Sequence, residues 1–242
     1  MLDHDAIARE YARDGVVRLR GFLSAAEVAE LKGEIARYTR EIVPRLKETH
    51  LVLEADGKTC RNLFHLQEFD SYFAGLMHRP AWVALARALV GGEPVCMVVE
   101  TFNKPALVGS AVPWHQDNAY FCQSPPDLFT LWMAMDHATV ENGAVYYLKG
   151  SQHTLLPHRP SGVKGNSMGL AKAPPAAAYE EFCGTLEPGD VLVHHCQTIH
   201  RSEPNRSPHP RLGLLLVFRG RHTHDDPFLR QAYSAARQEP KP

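Results

Sequence analysis

From Val95 onward the chain is a series of short runs rich in Val, Leu, Phe, Tyr and Trp, cut apart by Pro, Gly, Asn and Asp. The strand candidates are residues 95–102, 128–135, 144–148, 190–195 and 211–219. No helical repeat intervenes between most of them. Parallel strands need long crossovers, usually helices, so the pattern predicts an antiparallel sandwich or jelly-roll barrel rather than a parallel βαβ sheet. The first third is different. Residues 3–14 and 24–38 carry apolar side chains at helical spacing, with Val28, Leu31 and Ile35 on one face. Ser24 precedes Glu27 by one helical turn, a capping box. Residues 15–20 read as a short strand, and 80–90 as a helix with Pro80 in its first turn and Gly91-Gly92 beyond its end. The expected class is α+β, mainly β, as a single domain over 1–242. Residues 1–92 form its mostly helical N-terminal part, and 93–220 a jelly-roll core with a lid-like insertion at 152–182. That insertion lacks strand alternation, and residues 235–242 read as a frayed tail.

Composition narrows the function classes. With 26 basic and 27 acidic side chains the formal charge is −1, which argues against a broad nucleic-acid footprint. The longest apolar runs, such as 214–218, fall far short of the roughly 20 residues a membrane-spanning helix needs. Residues 1–10 are charged and carry no secretory pattern, so the expected location is cytoplasmic. The five cysteines form no C-x-x-C pair and read as buried thiols. Fourteen histidines raise the prospect of a metal site.

The residues that locate one are Trp114-His115-Gln116-Asp117 and, much later, Thr198-Ile199-His200. In an extended segment residues two apart point the same way, so His115 and Asp117 are expected to aim an imidazole and a carboxylate at one point. A jelly roll can bring His200 alongside as a third ligand. Two histidines and one carboxylate, with other coordination positions open, form the set used by non-haem Fe(II) oxygenases. An isolated H-x-D is common by chance. Arg211 adds weight: it enters a very apolar strand from a polar loop, and its fork suits bidentate capture of a carboxylate. The pair His222 and His224, near Asp225 and Asp226, has the same spacing but sits in a polar stretch and reads as surface. His194 and His195 are strand neighbours on opposite faces and cannot both join the site.

The run His115-Gln116-Asp117-Asn118-Ala119-Tyr120-Phe121, followed by Trp132, Glu141-Asn142-Gly143, Pro188-Gly189-Asp190, His200-Arg201-Ser202 and Arg211, resembles the phytanoyl-CoA dioxygenase family of Fe(II)/2-oxoglutarate oxygenases. Even Asp14-Gly15-Val16-Val17 near the N-terminus is similar to the family's opening strand. One departure is Lys149-Gly150-Ser151-Gln152-His153, where the family often has Pro-Gly-Ser-His. The resemblance implies a double-stranded β-helix (jelly roll, cupin-like) with N-terminal helices packed on one sheet. It implies that His115, Asp117 and His200 bind Fe(II), that Arg211 holds the distal carboxylate of the cosubstrate 2-oxoglutarate, and that Ser202 supports it. Trp132, Tyr120 and Asn118 are weaker cosubstrate candidates. O2 is the co-reactant, ascorbate is expected to support activity, and an intact Asp117 implies hydroxylation. A CoA thioester would call for a basic patch, and none is dense near 152–182 or 61–67; the expected substrate is therefore a small organic metabolite. The competing readings are a cosubstrate-independent cupin-type metal dioxygenase and a non-catalytic jelly-roll binding protein.

Overall fold

A computed structural model describes residues 2–238. The N-terminal part runs α1 (His4–Asp14), β1 (Val16–Leu19), α2 (Ala25–Glu41), β2 (Leu51–Leu53), β3 (Cys60–Leu63), α3 (Leu66–Phe69), α4 (Ser71–Leu76) and α5 (Pro80–Leu89). The barrel begins with β4 (Pro94–Lys104), β5 (Val112–His115), α6 (Asn118–Phe121), β6 (Gln123–Ser124), β7 (Leu128–Ala134) and β8 (Val145–Lys149). It continues through β9 (His158–Pro160), β10 (Met168–Leu170), β11 (Glu180–Gly184), β12 (Val191–His195), β13 (His200–Ser202) and β14 (Arg211–Gly220). The short β15 (His224–Asp225) and α7 (Pro227–Ala236) follow.

Local chemistry explains the element ends. Asp3 caps α1 by accepting from the Ala6 amide, and the left-handed Gly15 closes it. Ser24 and Glu27 cap α2 reciprocally, as the sequence predicts. The strands then assemble into a seven-stranded sheet, β1-β12-β7-β14-β4-β3-β2, and a four-stranded sheet, β11-β8-β13-β5, with antiparallel pairing throughout. The jelly roll is thus the fold.

The central strands are apolar on both faces because both are covered. On β7, Phe129, Leu131 and Met133 point outward and pack with Leu214, Leu216 and Phe218 of β14 against the N-terminal helices. Those helices contribute Tyr11, Leu31, Ile35, Phe73, Trp82 and Leu85, all buried. The intervening β7 residues Trp132 and Ala134 face the smaller sheet, with Leu215, Val145 and Tyr147. Burying each such side chain contributes about 1.5–3 kcal/mol, so the helical layer is what stiffens the back of the large sheet.

Two expectations need correction. The stretch 152–182 is not devoid of strand: β9 and β10 pair as a hairpin, and β11 begins at Glu180 and pairs with β8 over five residues. Alternation is hidden in β11 because it is an edge strand whose first two residues are exposed glutamates. The hairpin β2–β3 extends the large sheet. Finally, Ala235 and Ala236 close a helix, α7, capped by Asp226 through the amides of Phe228 and Leu229. No α7 residue is fully buried, so the helix leaves a weak apolar stripe in the sequence. Residues 239–242 of the expected tail lie outside the described residues. No described helix is long and apolar enough to cross a membrane.

Candidate metal centre and its cavity

His200 and His115 are register partners on β13 and β5, which is how residues far apart in sequence come to share a site. Their ring centroids lie 4.0 Å apart. Asp117 arrives differently from the extended-strand expectation. Strand β5 ends at His115, and Asp117 has helical backbone angles (φ −61°, ψ −34°) at the start of α6. The turn, not strand alternation, swings its carboxylate back: Asp117 Oδ1 is 3.5 Å from His115 Nε2 and 3.4 Å from His200 Nε2. The three ligand-type atoms lie within 4.8 Å of one another, and this is the one such group found among the described residues.

The donor set fits a divalent transition metal. His115 Nδ1 donates to the Pro113 carbonyl and His200 Nδ1 to the Thr198 carbonyl, both at 2.9 Å. A carbonyl can only accept, so each Nδ1 carries the ring proton and each Nε2 presents a free lone pair. Burial pushes both imidazoles below their ordinary pKa, keeping them neutral. Burial opposes ionisation of Asp117, but His200, His194 and His115 together hold its carboxyl well below the usual range. Its orientation is fixed by the Tyr120 hydroxyl, which donates to Oδ1 at 2.6 Å, and by Thr130 and His194 near Oδ2 at 3.3 and 3.2 Å.

Between the ligands, Gln116 is fully buried and ties the turn to the insertion. Its side-chain amide donates to the carbonyls of Thr154 and Gln197 and accepts from the Leu156 amide, and its backbone N–H donates to His158 Nε2 at 3.0 Å. Burial pushes His158 down to about 4.

The three ligand residues open onto a hollow between the sheets. One end is cationic. Arg211, buried at the start of β14, pairs in register with Lys104 of β4, and Arg61 of β3 lines the same end. One Arg211 nitrogen donates to the Gly143 carbonyl at 2.8 Å, and the guanidinium lies 5.0 Å from the Trp132 ring centre. Trp132 fits there because residue 213 is glycine; a Cβ would overlap the indole. Arg211 Nε has no hydrogen-bond partner among the described residues. Such an orphaned buried donor is costly unless a ligand completes it. Burial pushes Arg211 down to about 10, and burial with Arg211 and Arg61 pushes Lys104 down to about 6.

Ser202, Trp132 and Tyr120 line the same hollow. Asn118 does not: both ends of its amide are engaged by the backbone of Gln123, so it clips the α6 turn rather than facing the cavity. As strand alternation predicts, His194 and His195 face opposite ways, His194 inward beside Asp117 and His195 toward Tyr11. Glu100 and Lys104, two apart from Phe102 on β4, were overlooked. Their signal was the same alternation within an apolar strand. The cluster at His222 does not converge: His222 meets Asp127 at 3.3 Å, while Asp225 is taken by Gln123 and Arg230. From the 61–67 stretch, Arg61 reaches the inner hollow, and Phe64 lines an outer one together with residues 163–167 of the insertion.

The comparisons agree with this architecture. The family profile described as phytanoyl-CoA dioxygenase (PhyH) matches residues 11–213. The chain is 30% identical to an L-proline trans-4-hydroxylase of Streptomyces griseoviridis, covering 86% of this chain and 83% of that protein. It is 23% identical to the ectoine dioxygenase of Nocardia farcinica, over 89% of this chain and 77% of the relative. Among solved structures, the non-haem alpha-ketoglutarate-dependent epimerase SnoN from nogalamycin biosynthesis has a TM-score of 0.75 at 24% identity, covering 93% of this chain and 88% of that one. EctD from S. alaskensis, crystallised with 2-oxoglutarate and 5-hydroxyectoine, has a TM-score of 0.75 at 22% identity, covering 89% and 75%.

Proposed function

The chain belongs to the phytanoyl-CoA dioxygenase family and is an Fe(II)- and 2-oxoglutarate-dependent dioxygenase, and we propose that it hydroxylates an unactivated C–H bond of a small organic metabolite with release of succinate and CO2. The observation that carries this reading is the convergence of His115, Asp117 and His200 beside a buried guanidinium with an unpaired donor. In this reading His115 Nε2, His200 Nε2 and the Asp117 carboxylate hold the ferrous ion. Bound with 2-oxoglutarate and O2, that ion supplies the oxidising power to insert one oxygen atom into the C–H bond as the keto acid loses CO2.

The protein's part is placement. Arg211 meets the distal carboxylate of the cosubstrate, and the Ser202 hydroxyl supports it; a fork held by Gly143 and braced on Trp132 spends little entropy when the anion arrives. At the same end Lys104, pushed down to about 6, donates to the Ser110 and Glu203 carbonyls, and Arg61 lies beside Glu54, which leaves Arg211 as the group for the anion. Tyr120 keeps its proton, since burial and the Asp117 charge hold its pKa well above the ordinary value, and so remains a donor that fixes the Asp117 carboxylate. Trp132 and Tyr147 wall the hollow and exclude water. Ascorbate sustains turnover by keeping the iron ferrous. The relatives named for L-proline and ectoine support a compact substrate, and the outer hollow carries only Lys164 and Arg237 as basic lining groups, too few for the phosphates of a CoA thioester.

The test is direct. The purified protein with Fe(II), ascorbate, O2 and 2-oxoglutarate should form succinate slowly, and a panel of small metabolites should contain compounds that accelerate it. Absence of succinate in every mixture contradicts the proposal. A cosubstrate-independent enzyme would instead oxidise its substrate with 2-oxoglutarate omitted.

A further inference from the structure

The proposed reaction leaves one ionisable group of the cavity without a task. Glu100 sits midway along β4, with Leu215 of β14 as its register partner, and its side chain borders both the inner hollow that holds the metal centre and the outer hollow that leads to it. No side-chain hydrogen bond or ion pair reaches its carboxyl among the described residues, and burial together with the like charge of Asp117 pushes it up to about 8. Of the four Lys and Arg side chains that line the inner hollow, Arg61, Lys104 and Arg211 belong to the far end, and Arg201 is paired with Glu181 and Glu203. An acidic group half-buried in the cavity wall without a partner is costly to ionise, so its presence in the substrate path calls for a partner that arrives from outside.

The surroundings specify what that partner is. Phe102, Tyr120 and Phe121 line both hollows beside Glu100, and Phe64 lines the outer one, packed edge to face against Phe102 at 6.3 Å. Aromatic faces and a carboxylate share one preference: each attracts a compact organic cation, the rings through their quadrupoles and the carboxylate through charge and hydrogen bonding. Neither attracts a second anion. The cavity is therefore asymmetric along its length, with the Arg211 guanidinium at one end and at Glu100 a carboxyl that an incoming cation would ionise, the metal ligands opening onto the space between.

Resting on the reading of this cavity as an oxygenase site, we infer that Glu100 is the specificity-determining residue for a substrate bearing a cationic nitrogen, a protonated or alkylated amine, which it holds among Phe64, Phe102, Tyr120 and Phe121. Such a substrate is anchored by its nitrogen and presents a neighbouring carbon to the metal side of the cavity.

The experiment uses three saturated six-membered-ring probes of different charge, the first two of equal shape: piperidinium, tetrahydropyran and cyclohexanecarboxylate. Each is titrated, with O2 excluded, into the full chain loaded with redox-inert Zn(II) and 2-oxoglutarate, and dissociation constants are read by saturation-transfer NMR. The wild type is expected to bind piperidinium about tenfold more tightly than either other probe. The preference should vanish in the isosteric Glu100→Gln and in the smaller Glu100→Ala, with circular dichroism verifying the fold of each. A wild type without that preference, or a preference that survives both substitutions, overturns the inference. Calorimetry of 2-oxoglutarate binding to the Zn(II)-loaded wild type separates the two readings: if the keto acid does not bind, the oxygenase assignment fails, while the probe series still reports on Glu100.

Discussion

The two ends of the cavity are built on opposite principles. Around His115, Asp117 and His200 nearly every polar atom is committed: the imidazole Nδ1 atoms to carbonyls, the Asp117 oxygens to Tyr120, Thr130 and His194, and the Gln116 side chain to Thr154 and Leu156 of the insertion and to Gln197. Toward the mouth, Glu100 has no side-chain partner among the described residues, and the walls come from the 163–167 stretch and from Phe64. Overdetermined geometry suits an ion that must be held in one place, whereas uncommitted groups suit a ligand that brings its own. The difference teaches that the chemistry is written into paired strands and the selectivity into what those strands leave open.

Substitutions can break this comparison, and the largest effect is expected at the committed end. Asp117→Ala should reduce succinate formation to below about a hundredth of wild type, because two neutral imidazoles alone hold a ferrous ion poorly; a normal rate would dissolve the contrast. Arg211→Ala comes next. Losing a charge-assisted fork worth about 2–3 kcal/mol should raise KM for 2-oxoglutarate roughly 30- to 150-fold, measured by steady-state kinetics, and Arg211→Lys should recover only part of it. Tyr120→Phe removes one hydrogen bond to Asp117 while keeping the ring, so calorimetry should find Fe(II) affinity weakened about tenfold.

The smallest effect concerns how the insertion is tied to the ligand turn. Burial holds His158 at about 4, below the ordinary value near 6.5, and its neutral Nε2 accepts the Gln116 amide. The unfolded chain takes up this proton first as pH falls. The His158 contribution to stability is therefore fully present above about pH 6.5 and is lost progressively as pH falls toward 4. His158→Gln should flatten the fall of Tm between pH 7 and 4.5 by roughly 3 °C, read by scanning calorimetry. An unchanged slope would mean that the insertion is secured elsewhere.

Much of this was legible in the sequence, and the reasons are local. Gly15, Ser24 with Glu27, and Pro80 are capping signals that act over a few residues, so α1, α2 and α5 could be placed within a few positions. The strands β7, β12 and β14 are apolar on both faces and announced themselves. His115, Asp117, His200 and Arg211 were legible as residues, but the reason for their convergence was not: strand alternation was expected to aim Asp117, and a helical turn does it. What stayed hidden depends on long-range pairing. His194 faces inward because β12 pairs with β7 in one register, His194 opposite Thr130, and a slip of one residue would have presented His195 instead. The strand β11 and the helix α7 bury too little apolar surface to leave a periodic trace.

The central claim, that three side chains hold one ion, is tested most directly by anaerobic calorimetric titration of Fe(II) into the wild type and into His115→Ala, Asp117→Ala and His200→Ala. One Fe(II) per chain in the wild type and loss of that binding in all three variants is the predicted result. Tight one-to-one binding that persists in any one of them would contradict the account.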